Sequence, residues 1–203
     1  MKYVLAMMMV FTLGLAACGN DEPTTDAFEP ESEVDVPESI EAEARAELMN
    51  DEGHSIGMVS FILSPDGKLF VEASVSGMEQ GFHGFHLHEA PSCDHDHSDG
   101  AFTSAEGHYN PDDSEHGNHA GDMPPLYVNE DGTAQMTFSY DRLDADDLIG
   151  EASVMIHEDP DNLGHIPDRY QSSEQDESGP DEETLSTGDA GDRVACGVIE
   201  AAQ

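Results

Sequence analysis

Basic side chains are almost missing from this chain: Lys and Arg together number 6 against 45 Asp and Glu, a formal net charge of −39 at pH 7. Nucleic acid and anionic membrane surfaces would both be repelled, so neither is an expected binding partner. Acidity of this degree suits a solvated surface in high salt, where the Debye length shrinks to about 3 Å at 1 M. An acidic tail for a specific basic partner is the other reading. Cysteine is scarce, with 3 in 203 residues, and none joins the histidine clusters described below. Internal repeats and long stretches of helical period are also lacking. The length leaves room for one well-filled domain plus tails.

The apolar run Val4–Leu15 is too short to span a bilayer comfortably, and Lys2 supplies a minimal positive region before it. It ends in Leu15-Ala16-Ala17-Cys18, which resembles the lipobox of bacterial lipoprotein signals. That resemblance implies a signal peptide over 1–17, cleavage before Cys18, diacylglycerol on its sulfur and acylation of the new amino group. Two or three acyl chains anchor a protein stably, since each buried CH₂ contributes about 0.8 kcal/mol. An ordinary secretory signal with an incidental Cys18 is the alternative. If Cys18 is lipidated, Cys93 and Cys196 remain as an even pair in an exported, oxidising compartment, available as a disulfide or as thiolate ligands.

Residues 18–40 are rich in Asp, Glu, Pro, Ser and Thr and cannot bury enough surface to offset ordering entropy, so a disordered acidic tether is expected there. Such a tether of about 22 residues reaches about 25 Å on average. Residues 41–203 read as one β domain. Ala42–Met49, Ser55–Leu63, Lys68–Val75, Phe82–His88, Thr133–Tyr140, Glu151–His157 and Arg193–Ile199 are strand-like, with a short piece at Leu126–Val128. Turn signals such as Ser64-Pro65-Asp66-Gly67 separate them. This pattern predicts an all-β, antiparallel sandwich or barrel, with a helical turn allowed at Leu143–Ile149. Two long irregular stretches, Glu89–Pro125 and Glu158–Asp192, are expected to be functional loops.

What is abundant is histidine in ligand spacing. GFHGFHLHE places His86 and His88 two apart, on one face of a strand whose other face carries Phe85 and Leu87. Two residues along a strand span about 6.6–6.8 Å, so both rings can reach one ion. HYNPDDSEHGNHAGD then supplies His108, His116, His119 and Asp122, three nitrogens and a carboxylate oxygen suited to a closed tetrahedral zinc shell. A further histidine, His157, ends the apolar run ASVMIH. A dense His/Asp set without thiolate favours copper or zinc.

GFHGFHLHE, GHYNPDDSEHGNHAGD, VMIHEDPDNLG and TGDAGDRVACGVI together resemble the copper/zinc superoxide dismutase family, over about 160 residues from near Ala42 to the end. The resemblance implies an eight-stranded Greek-key, immunoglobulin-like sandwich or barrel with two long functional loops. It implies copper on His86, His88, His108 and His157, and zinc on His108, His116, His119 and Asp122, with His108 shared. It also implies a Cys93–Cys196 disulfide, Arg193 as the group orienting an anionic substrate, and Asp161 linking a copper ligand to a zinc ligand. The implied activity is disproportionation of superoxide to O₂ and H₂O₂ in the cell envelope, on the extracytoplasmic side of a bacterial membrane. A homodimer is allowed, although no sequence patch marks its surface.

Copper supplies the one-electron couple this chemistry needs and zinc cannot. A non-catalytic lipoprotein that stores or delivers these metals is the rival class, and a copper-only enzyme is a third. Arg193 could instead pair with Asp189 or Asp192. The inserted CDHDHSDG adds His95 and His97, expected to be exposed rather than copper-capturing, with His54 and His165 also on the surface and His83 structural. The stretch Glu158–Asp192 stands where many relatives guide superoxide with lysines, yet it carries only Arg169. A rate constant that falls little, or rises, with salt is therefore expected.

Overall fold

A computed structural model describes residues 41–202. The expected signal peptide 1–17, the tether 18–40 and Cys18 lie outside the described residues.

Alternation of buried and exposed side chains builds the strands. β1 (Ala44–Asn50) buries Ala44, Ala46 and Leu48; β2 (Ser55–Leu63) buries Val59 and Phe61; β3 (Leu69–Ser76) buries Leu69, Val71, Ala73 and Val75. β4 (Gly81–His83) and β5 (Phe85–His88) follow, then β6 (Leu126–Val128), β7 (Thr133–Tyr140), β8 (Ser153–His157), β9 (Arg193–Val198) and β10 (Glu200–Ala201). The main sheet runs in the order β5-β8-β9-β1-β2-β3-β7, antiparallel throughout, with β10 paired to β1. β4 and β6 form a separate pair. The chain leaves β3, crosses to the far edge at β5 and returns beside β3 as β7, the crossover of a Greek key. Side chains from both ends of this order meet in one core, including Phe85 and Leu87 of β5, Val154 and Ile156 of β8, Phe61 of β2 and Ala134 of β7, each fully buried. Such burial contributes about 1.5–3 kcal/mol per large side chain.

Two differences from the sequence expectation position the site. The predicted strand Phe82–His88 is broken at Gly84, where a Cβ would meet the Ala190 Cβ at 2.6 Å and the His86 ring at 3.0 Å. Its amide is instead given to the Asp159 carbonyl, 2.9 Å away. The second long stretch also contains a helix, α1 (Glu182–Thr187), capped by Asp181 accepting from the Thr184 amide at 2.9 Å. A 3-10 turn at Ala145–Asp147 fills the expected helical piece, and a second lies at Thr103–Ala105.

Candidate metal centre

All four residues of β5 are buried, so the histidine face of this strand is as dry as its apolar face. The cover is the first long loop, which runs along β5 almost as another strand. Tyr109 donates its amide to the Leu87 carbonyl at 2.8 Å, Leu87 donates to Gly121 at 2.9 Å, and isolated bridges join His86 to Asp122 and His88 to His108. The third strand-borne histidine, His157, sits where the β8–β9 register shifts, opposite Arg193. A bulge of this kind re-aims a side chain. It brings the His157 ring beside His86, with centroids 4.9 Å apart.

The structure brings both sequence-predicted donor sets together. His86, His88, His108 and His157 each offer a nitrogen, all within 4.8 Å of one another, as do the donor atoms of His108, His116, His119 and Asp122. Hydrogen bonds on the far side of each ring decide which nitrogen faces inward. His88 Nδ1 donates to the Glu106 carbonyl (2.9 Å) and His157 Nδ1 to Gly191 (3.1 Å), leaving their Nε2 atoms 3.4 Å apart. Asp161 accepts from His86 Nε2 at 2.6 Å and from His116 Nε2 at 2.8 Å, so one carboxylate ties a ring of each set. His86 Nδ1 and His116 Nδ1 are buried without a hydrogen-bond partner. Buried nitrogens are rarely left so, and these two point at the centres of their sets.

The second set fits a tetrahedral ion. Asp122 Oδ1 lies 3.2, 3.2 and 3.3 Å from Nδ1 of His108, His116 and His119, and the His108 and His119 nitrogens are 3.4 Å apart. Corners about 2.0–2.1 Å from a central zinc would be separated by about 3.3–3.4 Å. Asp122 Oδ2 is held by the amides of Gly117 (2.6 Å) and His119 (3.0 Å), which fixes Oδ1 inward. With Nδ1 of His108 in this set, its Nε2 is left for the other, and one ring serves both.

Charge follows geometry. Burial, then neighbouring histidines, hold His88 well below its ordinary value, and burial lowers His157 to about 3 and His108 to about 4. These imidazoles are neutral acceptors at pH 7, as metal ligation requires. Burial also pulls His116 down, but hydrogen bonds and charge from Asp122 and Asp161 outweigh it and raise the ring to about 9. Burial would raise Asp122 and Asp161, yet their histidine partners hold both well below the usual carboxylate range. Negative charge is therefore retained beside the two sets.

Arg193 does not pair with Asp189 or Asp192. Its guanidinium donates to the carbonyls of Phe102 (2.7 Å) and Glu106 (2.6 Å). Both acceptors have left-handed backbones, φ 60° and 62°, a conformation disfavoured for residues with a side chain. The Cys93–Cys196 disulfide, with Cα atoms 5.5 Å apart, and a small core of Phe102, Ala105, Met155 and Cys196 hold that loop in place. The Glu106 carbonyl thus serves Arg193 and His88 together.

The remaining histidines differ in part from expectation. His83 is buried and bonded to the His157 carbonyl at 2.8 Å, a structural role, and His54 and His165 are exposed. His95 and His97 are half-buried rather than exposed, because His97 Nδ1 bonds Thr103 Oγ1 at 2.7 Å and His95 packs over Gly53. Sequence reasoning missed Arg142, whose Nη1 donates to the His119 carbonyl at 2.6 Å and so braces the turn carrying His119 and Asp122. Its only signal was being one of 6 basic residues. Gly188 was missed too. It is left-handed (φ 66°), and a Cβ there would collide with His116 Nε2 and Asp161 Oδ1.

Comparison with known proteins agrees with this geometry. The family model described as Copper/zinc superoxide dismutase (SODC) matches residues 55–199. The Cu-Zn superoxide dismutase of Mycobacterium tuberculosis is 33% identical over 190 residues, covering 89% of this chain and 74% of that protein. The one from Mycolicibacterium paratuberculosis is 36% identical over 140 residues, covering 64% of this chain and 62% of that protein. Among solved structures, a double mutant of a SOD-like protein from Bacillus subtilis aligns with TM-score 0.56 and 27% identity, over 77% of this chain and 97% of the other. Two buried donor sets sharing one imidazole, on a Greek-key β scaffold matched along 55–199, place this chain in the copper/zinc superoxide dismutase family.

Proposed function

We propose that the chain is an extracytoplasmic superoxide dismutase, holding copper at His86, His88, His108 and His157 and zinc at His108, His116, His119 and Asp122. The observation that carries it is His108, a single buried ring with Nδ1 in one donor set and Nε2 left for the other. Copper there supplies a one-electron couple for converting superoxide to O₂ and H₂O₂, while redox-silent zinc supplies fixed charge.

The protein's own groups do the rest. Arg193 holds its guanidinium beside His157 through two carbonyls and presents positive charge to a small anion. Asp161 fixes the rings of His86 and His116 in the orientation that turns Nδ1 inward. His108 Nε2, in the four-histidine set, is the atom at which a proton can be held and passed towards the product.

Storage or delivery of metal, the rival function, needs neither the placed guanidinium nor the strained carbonyls that hold it. Metal analysis paired with superoxide decay separates the two. His157→Ala should remove activity and copper retention. Arg193→Ala should keep both metals but lower the rate constant by roughly ten-fold. A storage protein would be indifferent to Arg193→Ala.

The cell-envelope location and the lipid anchor at Cys18 belong to the same proposal and rest on the lipobox-like sequence alone. Labelling with a radioactive fatty acid, lost in Cys18→Ser, tests them. A homodimer is also part of it. What supports this is the exposed aromatic pair Phe82 and Tyr127, with ring centroids 4.9 Å apart and planes tilted by 60° on the β4–β6 pair. Sedimentation of Tyr127→Glu against wild type checks it, with a loss of dimer expected.

A further inference from the structure

In front of Arg193 lies a cavity of about 490 Å³ whose polar lining is mainly acidic. Asp51 comes from the β1–β2 turn, Asp99 from the insertion after Cys93, Glu158 from the residue after His157, and Asp192 from the residue before Arg193. The amide of Glu158 donates to the Asp192 carbonyl at 2.8 Å, so these two acids are fixed side by side at the rim. Four acidic residues and a single basic one, Arg193, line it. The other basic side chains among the described residues do not line this cavity. Arg45 is exposed on β1, Lys68 pairs with Asp66 at 3.0 Å, Arg142 is spent on the His119 carbonyl, and Arg169 stacks on Tyr170 at 4.8 Å.

We infer that Asp51, Asp99, Glu158 and Asp192 make the mouth at Arg193 net repulsive to superoxide and set the approach rate, so that the enzyme is faster in high salt than in low. This rests on the proposed dismutase activity. Clefts lined by one sign of charge concentrate field, and the same field that would gather cations repels an anion. Rim charges act on association and its salt dependence more than on the bound state. All four carboxylates are exposed, so mobile cations reach and screen them, whereas Arg193 is half-buried behind its carbonyl partners. The insertion that carries Asp99 thereby gains a role: it brings negative charge to the mouth rather than a metal ligand.

Two measurements on the metal-loaded enzyme test the inference. In pulse radiolysis, the wild-type rate constant should rise with salt between roughly 10 mM and 1 M, as the Debye length falls from about 30 Å to about 3 Å. Asp51→Asn and Asp99→Asn should each raise it about two-fold at low salt, with no gain near 1 M. Glu72→Gln on the exposed face of β3 removes the same formal charge far from the mouth and should change little. The second readout needs no turnover. Arg193 modification by phenylglyoxal, a neutral reagent, should be unaffected by Asp51→Asn with Asp99→Asn, while an anionic nitrophenolate-bearing phenylglyoxal should react several-fold faster. A wild-type rate that falls steeply with salt, or a double variant matching Glu72→Gln in both assays, overturns the inference. If superoxide decay is absent but reagent selectivity shifts as stated, the dismutase reading fails and the repulsive mouth stands.

Discussion

His86, His88 and His157 stand on strands paired on at least one side within the main sheet, whereas His116, His119 and Asp122 stand on a loop that meets β5 at Asp122 through an isolated bridge to His86. The strand-borne rings are aimed by backbone register and by carbonyls at Glu106 and Gly191. The loop-borne donors depend on side-chain bracing: Asp161 on His116, Arg142 on the His119 carbonyl, and two amides on Asp122 Oδ2. Three of the four histidines of the first set are thus placed by the sheet, with His108 added from the loop, and the second set is assembled around the contacts that hold it. The difference should appear in how each set responds when a brace is removed.

The severest break is His108→Ala, which takes a donor from both sets at once. Activity should fall more than about 100-fold with reduced retention of both metals, measured by superoxide decay and metal content. Asp161→Ala comes next and separates the sets. Retention on the loop-borne set should weaken about 10–100-fold, the usual cost of losing an outer contact, with a smaller loss on the strand-borne set; competitive chelator titration of each metal reads both. Arg142→Gln is a gentler probe of the same loop. Because it removes charge but not the fold's apolar contacts, the expected result is about ten-fold weaker zinc retention with copper retention unchanged, followed with a chromophoric chelator.

The smallest effect is on pH. In the metal-free protein, burial lowers His157 to about 3 and His108 to about 4, from 6.5. Below pH 6.5 the unfolded chain therefore binds more protons than the folded one, and stability is lost as pH falls through 6.5 towards 4 and 3. His116 has the opposite sign: raised to about 9 by Asp122 and Asp161 against its burial, it stabilises below 6.5 and ceases to do so as pH rises through 9. Thermal melts of the metal-free protein should peak near neutrality. Asp161→Asn should remove part of the alkaline decline and leave the acid limb largely in place.

Much of this was legible from one dimension. Ser55–Leu63, Leu126–Val128 and Thr133–Tyr140 are strands with the expected bounds, because alternation and flanking turns are local signals. Local spacing likewise paired His86 with His88 on one strand face and grouped His108, His116, His119 and Asp122 in one short loop, whereas the joining of His108 and His157 to the first pair came from the family resemblance. The helix Glu182–Thr187 was missed although Asp181 caps it, acids occupy its first turn and Gly188 ends it. Only Thr184 is buried in it, so it carries no apolar stripe for a periodicity argument to find. The split of β4 from β5 at Gly84 was hidden because its cause, the closeness of Ala190 and His157, lies far along the chain.

The sequence by itself determined which donor atoms are available, that they suit copper and zinc, and that the chain is too acidic to attract an anion over distance. Only the tertiary structure decided which ring nitrogen faces inward, which carbonyls hold Arg193, and that Asp51 and Asp99 share its cavity. Donor chemistry and short spacings are fixed by neighbouring residues. Orientation depends on contacts between distant ones, such as Arg193 with Phe102, 91 positions apart, which exist only once the sheet has closed.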